Sequence, residues 1–327
     1  MAARVVSVAN RKGGVGKTTV ALSLAEGLAA LKNKRVLVVD LDSQINISIL
    51  MTGGIASANV PWNRSATIVD LIEKRSVDPN ARASFYISQN VLDHTPGQAI
   101  SLLSGDKRLL GLERRLLSRP AASLAKISDF LSDVIGSIIE EQSRFFDHII
   151  FDCPPGFSII TDAALKRSDL ILLPTAPTML ASQGILGYIE YLKDDLQMID
   201  ASAKTYVFLT MTGRTKTSET FEKLIRGEVK KPSPAYGVFD TAYAYCDGFQ
   251  KATDRRDQVM MKTNAVWRRL DRLRGRAIFH RLYGDVRKSI DKAVTELMLI
   301  LEMDGEENER SKTRRSHRSA MQREARP

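Results

Sequence analysis

Val5-Val6-Ser7-Val8-Ala9-Asn10-Arg11-Lys12-Gly13-Gly14-Val15-Gly16-Lys17-Thr18-Thr19 is a short apolar strand that runs into a glycine loop and then into a helix. Gly13, Gly14 and Gly16 let the backbone curl until successive N–H groups, through Val15 to Thr19, converge on one anion. The helix that begins near Thr18 adds its positive dipole end. Lys17 supplies a point charge for the β- and γ-phosphates of a nucleotide, and the Thr18 hydroxyl is placed to ligate Mg2+. A glycine-rich turn that merely joins strand to helix would not need two lysines and two threonines around it.

The chain around this loop follows the same logic. The alanine- and leucine-rich stretch to Lys32 predicts a helix, and Val36-Leu37-Val38-Val39 predicts a buried strand. Strand, glycine loop, helix and strand make a βαβ unit, so the sheet is expected to be parallel with a right-handed crossover. Asp40-Leu41-Asp42-Ser43-Gln44-Ile45-Asn46 follows the second strand directly, at the edge where open α/β sheets bind ligands. Further on, Phe146-Asp147-His148-Ile149-Ile150-Phe151-Asp152-Cys153-Pro154-Pro155-Gly156 is another apolar strand ending in an acid. Asp152 reads as a Walker B acid that holds Mg2+ through water, while Asp147 and His148 read as solvated surface. An amphipathic helix is expected from Ser123 to Gln142, packed on the sheet.

The general phosphate-loop pattern G-x-x-x-x-G-K-[ST] expects glycine where this chain has Arg11. What stands here, Lys12-Gly13-Gly14-Val15-Gly16-Lys17-Thr18-Thr19, resembles the deviant loop of the ParA/MinD family of ATPases, in its partition branch. That resemblance implies a doubly wound, mostly parallel α/β sheet flanked by helices, ATP and Mg2+ as ligands, and a nucleotide-bridged homodimer. In such a dimer Lys12 reaches the nucleotide held by the other subunit. The acid stretch is similar to the family's first switch, D-x-D-P-Q-G-N, with Ser43 and Ile45 replacing proline and glycine. By the same resemblance Asp42 orients the attacking water, Asp40 supports the Mg2+ shell beside Thr18 and Asp152, and Pro154-Pro155-Gly156 forms a second switch. Lys12, Lys17 and Asp42 are then the catalytic candidates. Thr210-Met211-Thr212-Gly213-Arg214-Thr215 resembles the segment near which the family holds adenine, so Met211 is a base-contact candidate; ordinary core packing is the alternative.

The resemblance weakens beyond residue 252. Three regions are therefore expected: an ATPase core over 1–252, a basic helical addition with a closing helix over 253–303, and a disordered basic tail over 304–327. From Lys251 to Pro327 the chain carries 20 Lys/Arg against 12 Asp/Glu, most of the overall net charge of +10. Such placement points to a polyanion as partner. Lys251, Arg255, Arg256, Arg268, Arg269 and Arg272 are the DNA-contact candidates, with a solvated helix face as the alternative. No stretch is apolar over eighteen residues, and Cys153 and Cys246 form no metal-like pair, so a soluble cytoplasmic protein associated with the nucleoid is expected. Nonspecific double-stranded DNA and a stimulating adaptor protein are the expected partners. The competing expectation is a membrane-associated positioning ATPase of the MinD kind, which needs a terminal amphipathic helix with a bulky apolar face.

Overall fold

The computed structural model describes residues 2–52, 59, 61–93, 99–213, 215–232, 234–245 and 286–303. In chain order its elements are β1 (Arg4–Val8), α1 (Lys17–Lys32), β2 (Val36–Asp40), α2 (Asn46–Thr52), α3 (Ile68–Arg75), β3 (Ile87–Asp93), β4 (Ala99–Leu103), α4 (Leu112–Leu117) and α5 (Leu124–Gln142). They continue with β5 (His148–Asp152), α6 (Ile159–Lys166), β6 (Leu170–Thr175), α7 (Ala181–Glu190), α8 (Ala201–Lys204), β7 (Thr205–Thr212), α9 (Lys216–Gly227), β8 (Gly237–Val238) and β9 (Tyr243–Ala244). A last helix, α10, spans 286–303.

The strands form one sheet in the order β3-β4-β2-β5-β1-β6-β7-β8, with β9 paired to β7. All pairs are parallel except β3 with β4, so the doubly wound architecture is the one the βαβ pattern implies. Alternating side chains explain the two helical layers. Leu37 and Val39 of β2, Ile149 and Phe151 of β5, and Ile171 and Leu173 of β6 enter a core shared with α3, α5, α6 and α7. Val36 and Val38, Ile150, and Leu170 and Leu172 point the other way, against α1, α2 and α10. Both faces are covered, which is why these strands read as unbroken apolar runs.

Alpha10 is fastened at three places. Ile290, Ala293, Val294, Leu297 and Leu301 are buried against α1. Gly27 on α1 gives the room, since a Cβ there would lie 2.6 Å from Ile290 Cγ2 and 2.7 Å from Val294 Cγ1. Glu296 accepts the Asp240 and Thr241 N–H groups at 2.6 and 2.9 Å, and Lys32 pairs with Asp291 at 2.9 Å.

Some expectations are corrected. His148 is not solvated surface: it begins β5 and is buried between β1 and β2, while Asp147 alone stays at the surface, paired with Arg35 at 2.8 Å. One apolar face of the sheet extends a residue further than the Ile149-Ile150-Phe151 run suggests. Between Tyr236 and Tyr243 the chain forms two separate two-residue strands, because Phe239 and Asp240 bend between Arg226, which donates to both carbonyls, and Glu296. The antiparallel edge strand β3, and α2, are found only in the structure. Lys251, Arg255, Arg256, Arg268, Arg269 and Arg272, Arg214, Cys246 and the segment 304–327 lie outside the described residues. Among the described residues no helix is long and apolar enough to cross a membrane.

Candidate functional site

The phosphate loop leaves β1 at the middle of the sheet, where the chain order turns from β5 on one side to β6 on the other. This is the switch point at which open α/β sheets open a crevice. Gly14 and Gly16 have φ of 72° and 85°, the left-handed conformations that turn the loop back over the start of α1. At Gly13 and Gly14 a Cβ would meet nothing within 4 Å.

Hydrogen bonds to β6 and β7 hold the loop in place. Asn10 donates to the Pro174 carbonyl at 2.9 Å and accepts the Lys12 N–H at 3.0 Å. Thr210 donates to the Val15 carbonyl at 2.9 Å. Within the loop, the Lys17 ammonium donates to the Lys12 carbonyl at 3.0 Å. Burial pulls the Lys17 pKa down, and the negative charges of Asp152 and Asp42 oppose that shift. The Lys12 side chain, by contrast, is exposed.

Two of the three metal candidates meet directly: Thr18 Oγ1 donates to Asp152 Oδ2 at 2.9 Å. Asp152 Oδ1 is buried and has no hydrogen-bond partner among the described residues. Asp40 and Asp152 are register partners on β2 and β5. Burial, followed by the charge of Asp40, raises the Asp152 pKa. Burial likewise raises that of Asp40. Two acids, Asp152 and Asp42, therefore act on one buried ammonium, with Asp40 beside Asp152 on the next strand. That excess of negative charge and the orphaned oxygen beside a threonine hydroxyl suit a hard divalent cation.

Asp40 sits differently from the other two. Its Oδ1 accepts the Asp42 N–H at 3.0 Å, and its Oδ2 accepts both the Ser48 hydroxyl at 2.6 Å and the Ser48 N–H at 3.2 Å. The carboxylate thus ties the start of α2 to the end of β2. Gly105, which follows β4, makes this possible: its N–H donates to Ser48 Oγ at 3.0 Å, and a Cβ on it would lie 2.7 Å from Asp40 Cγ. Asp42 is turned along its own loop, accepting the Gln44 N–H at 2.8 Å. Ile45, where the family pattern has glycine, is buried with φ of 52°.

Met211 has φ of 55° and lies half-buried on β7, next to Gly213 with φ of 71°, at the same edge as the phosphate loop. In the Pro154-Pro155-Gly156 turn Gly156 has φ of 91°, and Ser158 caps α6. Cys153, beside Asp152, is a buried free thiol whose pKa is pushed up by burial, an inert core group. Sequence reasoning missed Ser48, Gly105, Asn10 and Thr210. Their signals were weak: a serine in the first turn of an unexpected helix, and a glycine after a strand whose partner acid lies 65 positions earlier.

Fold and site together define a P-loop nucleotide-binding α/β protein. A family model described as an AAA domain matches residues 3–202. The ParA family protein of Mycoplasma pneumoniae is 25% identical over 234 residues, 71% of this chain and 80% of that one. The chromosome partitioning protein ParA of Myxococcus xanthus is 28% identical over 231 residues, 70% of this chain and 72% of that one. Among solved structures, apo McdA of Cyanothece superposes with a TM-score of 0.62 at 18% identity, covering 90% of this chain and 99% of that one. A variant of the same protein in complex with ATP gives 0.59 at 20% identity, covering 78% and 88%. The chain belongs to the ParA/MinD family of ATPases.

Proposed function

We propose that this protein is a partition-type ATPase: ATP closes a homodimer that binds DNA nonspecifically and positions DNA or a macromolecular cargo, and hydrolysis stimulated by a partner protein releases it. The observation that carries the reading is the division of labour between two lysines on one loop. Lys17 is buried in the cradle among acids, while Lys12, five residues earlier, is exposed and free to reach a second copy. Loop amides from Gly13 to Thr19 bind the phosphates, Lys17 pairs with their charge, and Asp42 aligns water at the terminal phosphate. Met211 and its turn flank the base. Thr18 and Asp152, with Asp40 behind them, would hold Mg2+, which supplies charge neutralisation of the phosphates. Lys12 from the second copy acts there as an arginine finger does, stabilising charge from across the interface. Joining two weak basic surfaces makes DNA affinity depend on ATP through avidity.

The test is binding of random-sequence duplex DNA and of anionic liposomes with ATP, with ADP and without nucleotide. ATP-dependent DNA binding supports the reading. Liposome binding without DNA binding overturns it in favour of the membrane-positioning alternative.

A further inference from the structure

Arg11, the residue that departs from the general phosphate loop, is not a passive insertion. Its guanidinium carbon lies 4.6 Å from the centroid of the Phe157 ring. Phe157 belongs to the second-switch turn, one residue beyond Gly156. The ring packs against Tyr191, with centroids 4.0 Å apart, and against Tyr188 at 6.4 Å. Tyr191 is itself fixed, its hydroxyl donating to Asp162 Oδ1 on α6 at 2.6 Å. Phe157 nonetheless remains 46% exposed. A half-exposed aromatic ring on a glycine turn, packed against two tyrosines and against a cation, is a contact that can open and close.

We propose that Arg11 is a positioning residue that clips the second-switch turn to the phosphate loop, so that the two move as one unit. The anchoring on each side gives the clip something to transmit. Asn10 fastens the backbone next to Arg11 to β6 through Pro174. On the other side Ser158 caps α6, and the Ile159 N–H donates to Glu113 Oε1 at 2.7 Å. Between these two fixed points the described contacts place one cation–π pair, worth roughly a two- to fivefold shift in a local equilibrium at a half-exposed position. The inference rests on the reading of this loop as an ATP site and goes beyond it by naming the link between loop and switch.

Hydrogen exchange at the Gly156, Phe157 and Ser158 amides of the nucleotide-free protein tests the clip directly. Arg11→Gln should speed exchange roughly two- to fivefold. Phe157→Leu should do the same, and Phe157→Trp should keep wild-type protection, because a larger π face holds a cation at least as well. Combining Arg11→Gln with Phe157→Leu should add nothing further. In single-turnover hydrolysis, Arg11→Gln should change the rate of the chemical step by a similar factor and leave ADP affinity unchanged. The proposal is overturned if Phe157→Trp and Phe157→Leu behave alike, or if the two single effects multiply in the double variant. A wild type that binds no ATP would sink the functional reading instead, and the exchange data would still decide the clip.

Discussion

Replacing Gly105 with alanine should unseat the first switch from behind, and the cost can be worked from distances. The new Cβ would lie 2.7 Å from Asp40 Cγ, 2.8 Å from Oδ2 and 3.1 Å from Oδ1. An ordinary carbon contact needs about 3.5 Å or more, so the carboxylate must retreat by close to an ångström. It has nowhere to go: Asp40 is fully buried and held by Ser48 and the Asp42 N–H. Losing one or two of those hydrogen bonds costs about 1–3 kcal/mol each where the acceptor is left buried. A destabilisation of ~2–4 kcal/mol follows, with a fall in thermal midpoint of roughly 3–6 °C for a chain of this size.

The decisive measurement is denaturant unfolding of a double-mutant cycle. In an Asp40→Ala background the space beside residue 105 is vacant, so Gly105→Ala should cost less than about 0.5 kcal/mol there. An equal penalty in both backgrounds would show that the glycine is required for some reason other than the Asp40 carboxylate. Nucleotide binding should survive in Gly105→Ala better than hydrolysis does, because the loop amides and Lys17 are untouched while Asp42 loses its support.

Four further substitutions probe other parts of the molecule. Lys17→Ala should abolish nucleotide binding, measured with a fluorescent ATP analogue, whereas Asp42→Ala should bind ATP normally and hydrolyse it at least tenfold more slowly, roughly the loss of 1.4 kcal/mol of transition-state stabilisation; wild-type turnover in Asp42→Ala would remove it from the water-positioning role. His148 is held neutral by burial, its pKa lowered from 6.5 to about 4. The unfolded chain therefore takes up a proton first as pH falls, and this one residue removes about 3 kcal/mol of stability between pH 6.5 and pH 4, all of it present above 6.5; His148→Gln should flatten that part of the stability profile, and an unchanged profile would refute the assignment. Gly27→Ala should push α10 off α1 at a net cost of about 1–2 kcal/mol, the overpacking exceeding the gain in helix propensity, and should be visible as faster amide exchange across 286–303.

How far the sequence reaches depends on whether an interaction is local. The loop at Lys12 to Thr19, the acids at Asp40 and Asp152 and the parallel strands are legible because each is a short run whose chemistry is carried by its own residues. The helix on Leu124 to Gln142 is legible because its apolar stripe repeats at helical spacing and Ser123 caps it. What escapes is cross-chain. Ser48 and Gly105 matter only because β2 and β4 lie side by side, and no local pattern announces that Asp40 will turn to them. The edge strand β3 escapes for a related reason. Its residues Ile87-Ser88-Gln89-Asn90-Val91 mix polar and apolar side chains on an antiparallel edge whose register shifts between Ser88 and Leu92. His148 was misread because one histidine at a strand start looks like surface until its neighbours are seen to be Arg4 on β1 and Val36 on β2.

Ile45 carries this argument furthest. A β-branched residue at φ of 52° is sterically disfavoured by about 1–3 kcal/mol, and nothing in its own chemistry selects that conformation. It is imposed from both sides. Before it, Asp42 folds the loop back, accepting the Gln44 N–H through its carboxylate and the Ile45 N–H through its carbonyl at 2.9 Å. After it, Ser48 pins the first turn of α2 to Asp40. The side chain is also almost wholly buried, at 3% exposure, and burying an isoleucine is worth about 1.5–3 kcal/mol. That gain is of the size needed to offset the strain. Glycine at this position would adopt the turn freely but bury nothing, so the same backbone would be held by conformation alone. In this chain that loop is held by packing, and anything that draws Asp42 or α2 away also exposes Ile45. On the proposed reading of this loop as a switch, its motion carries a hydrophobic cost that a glycine at this position would not impose.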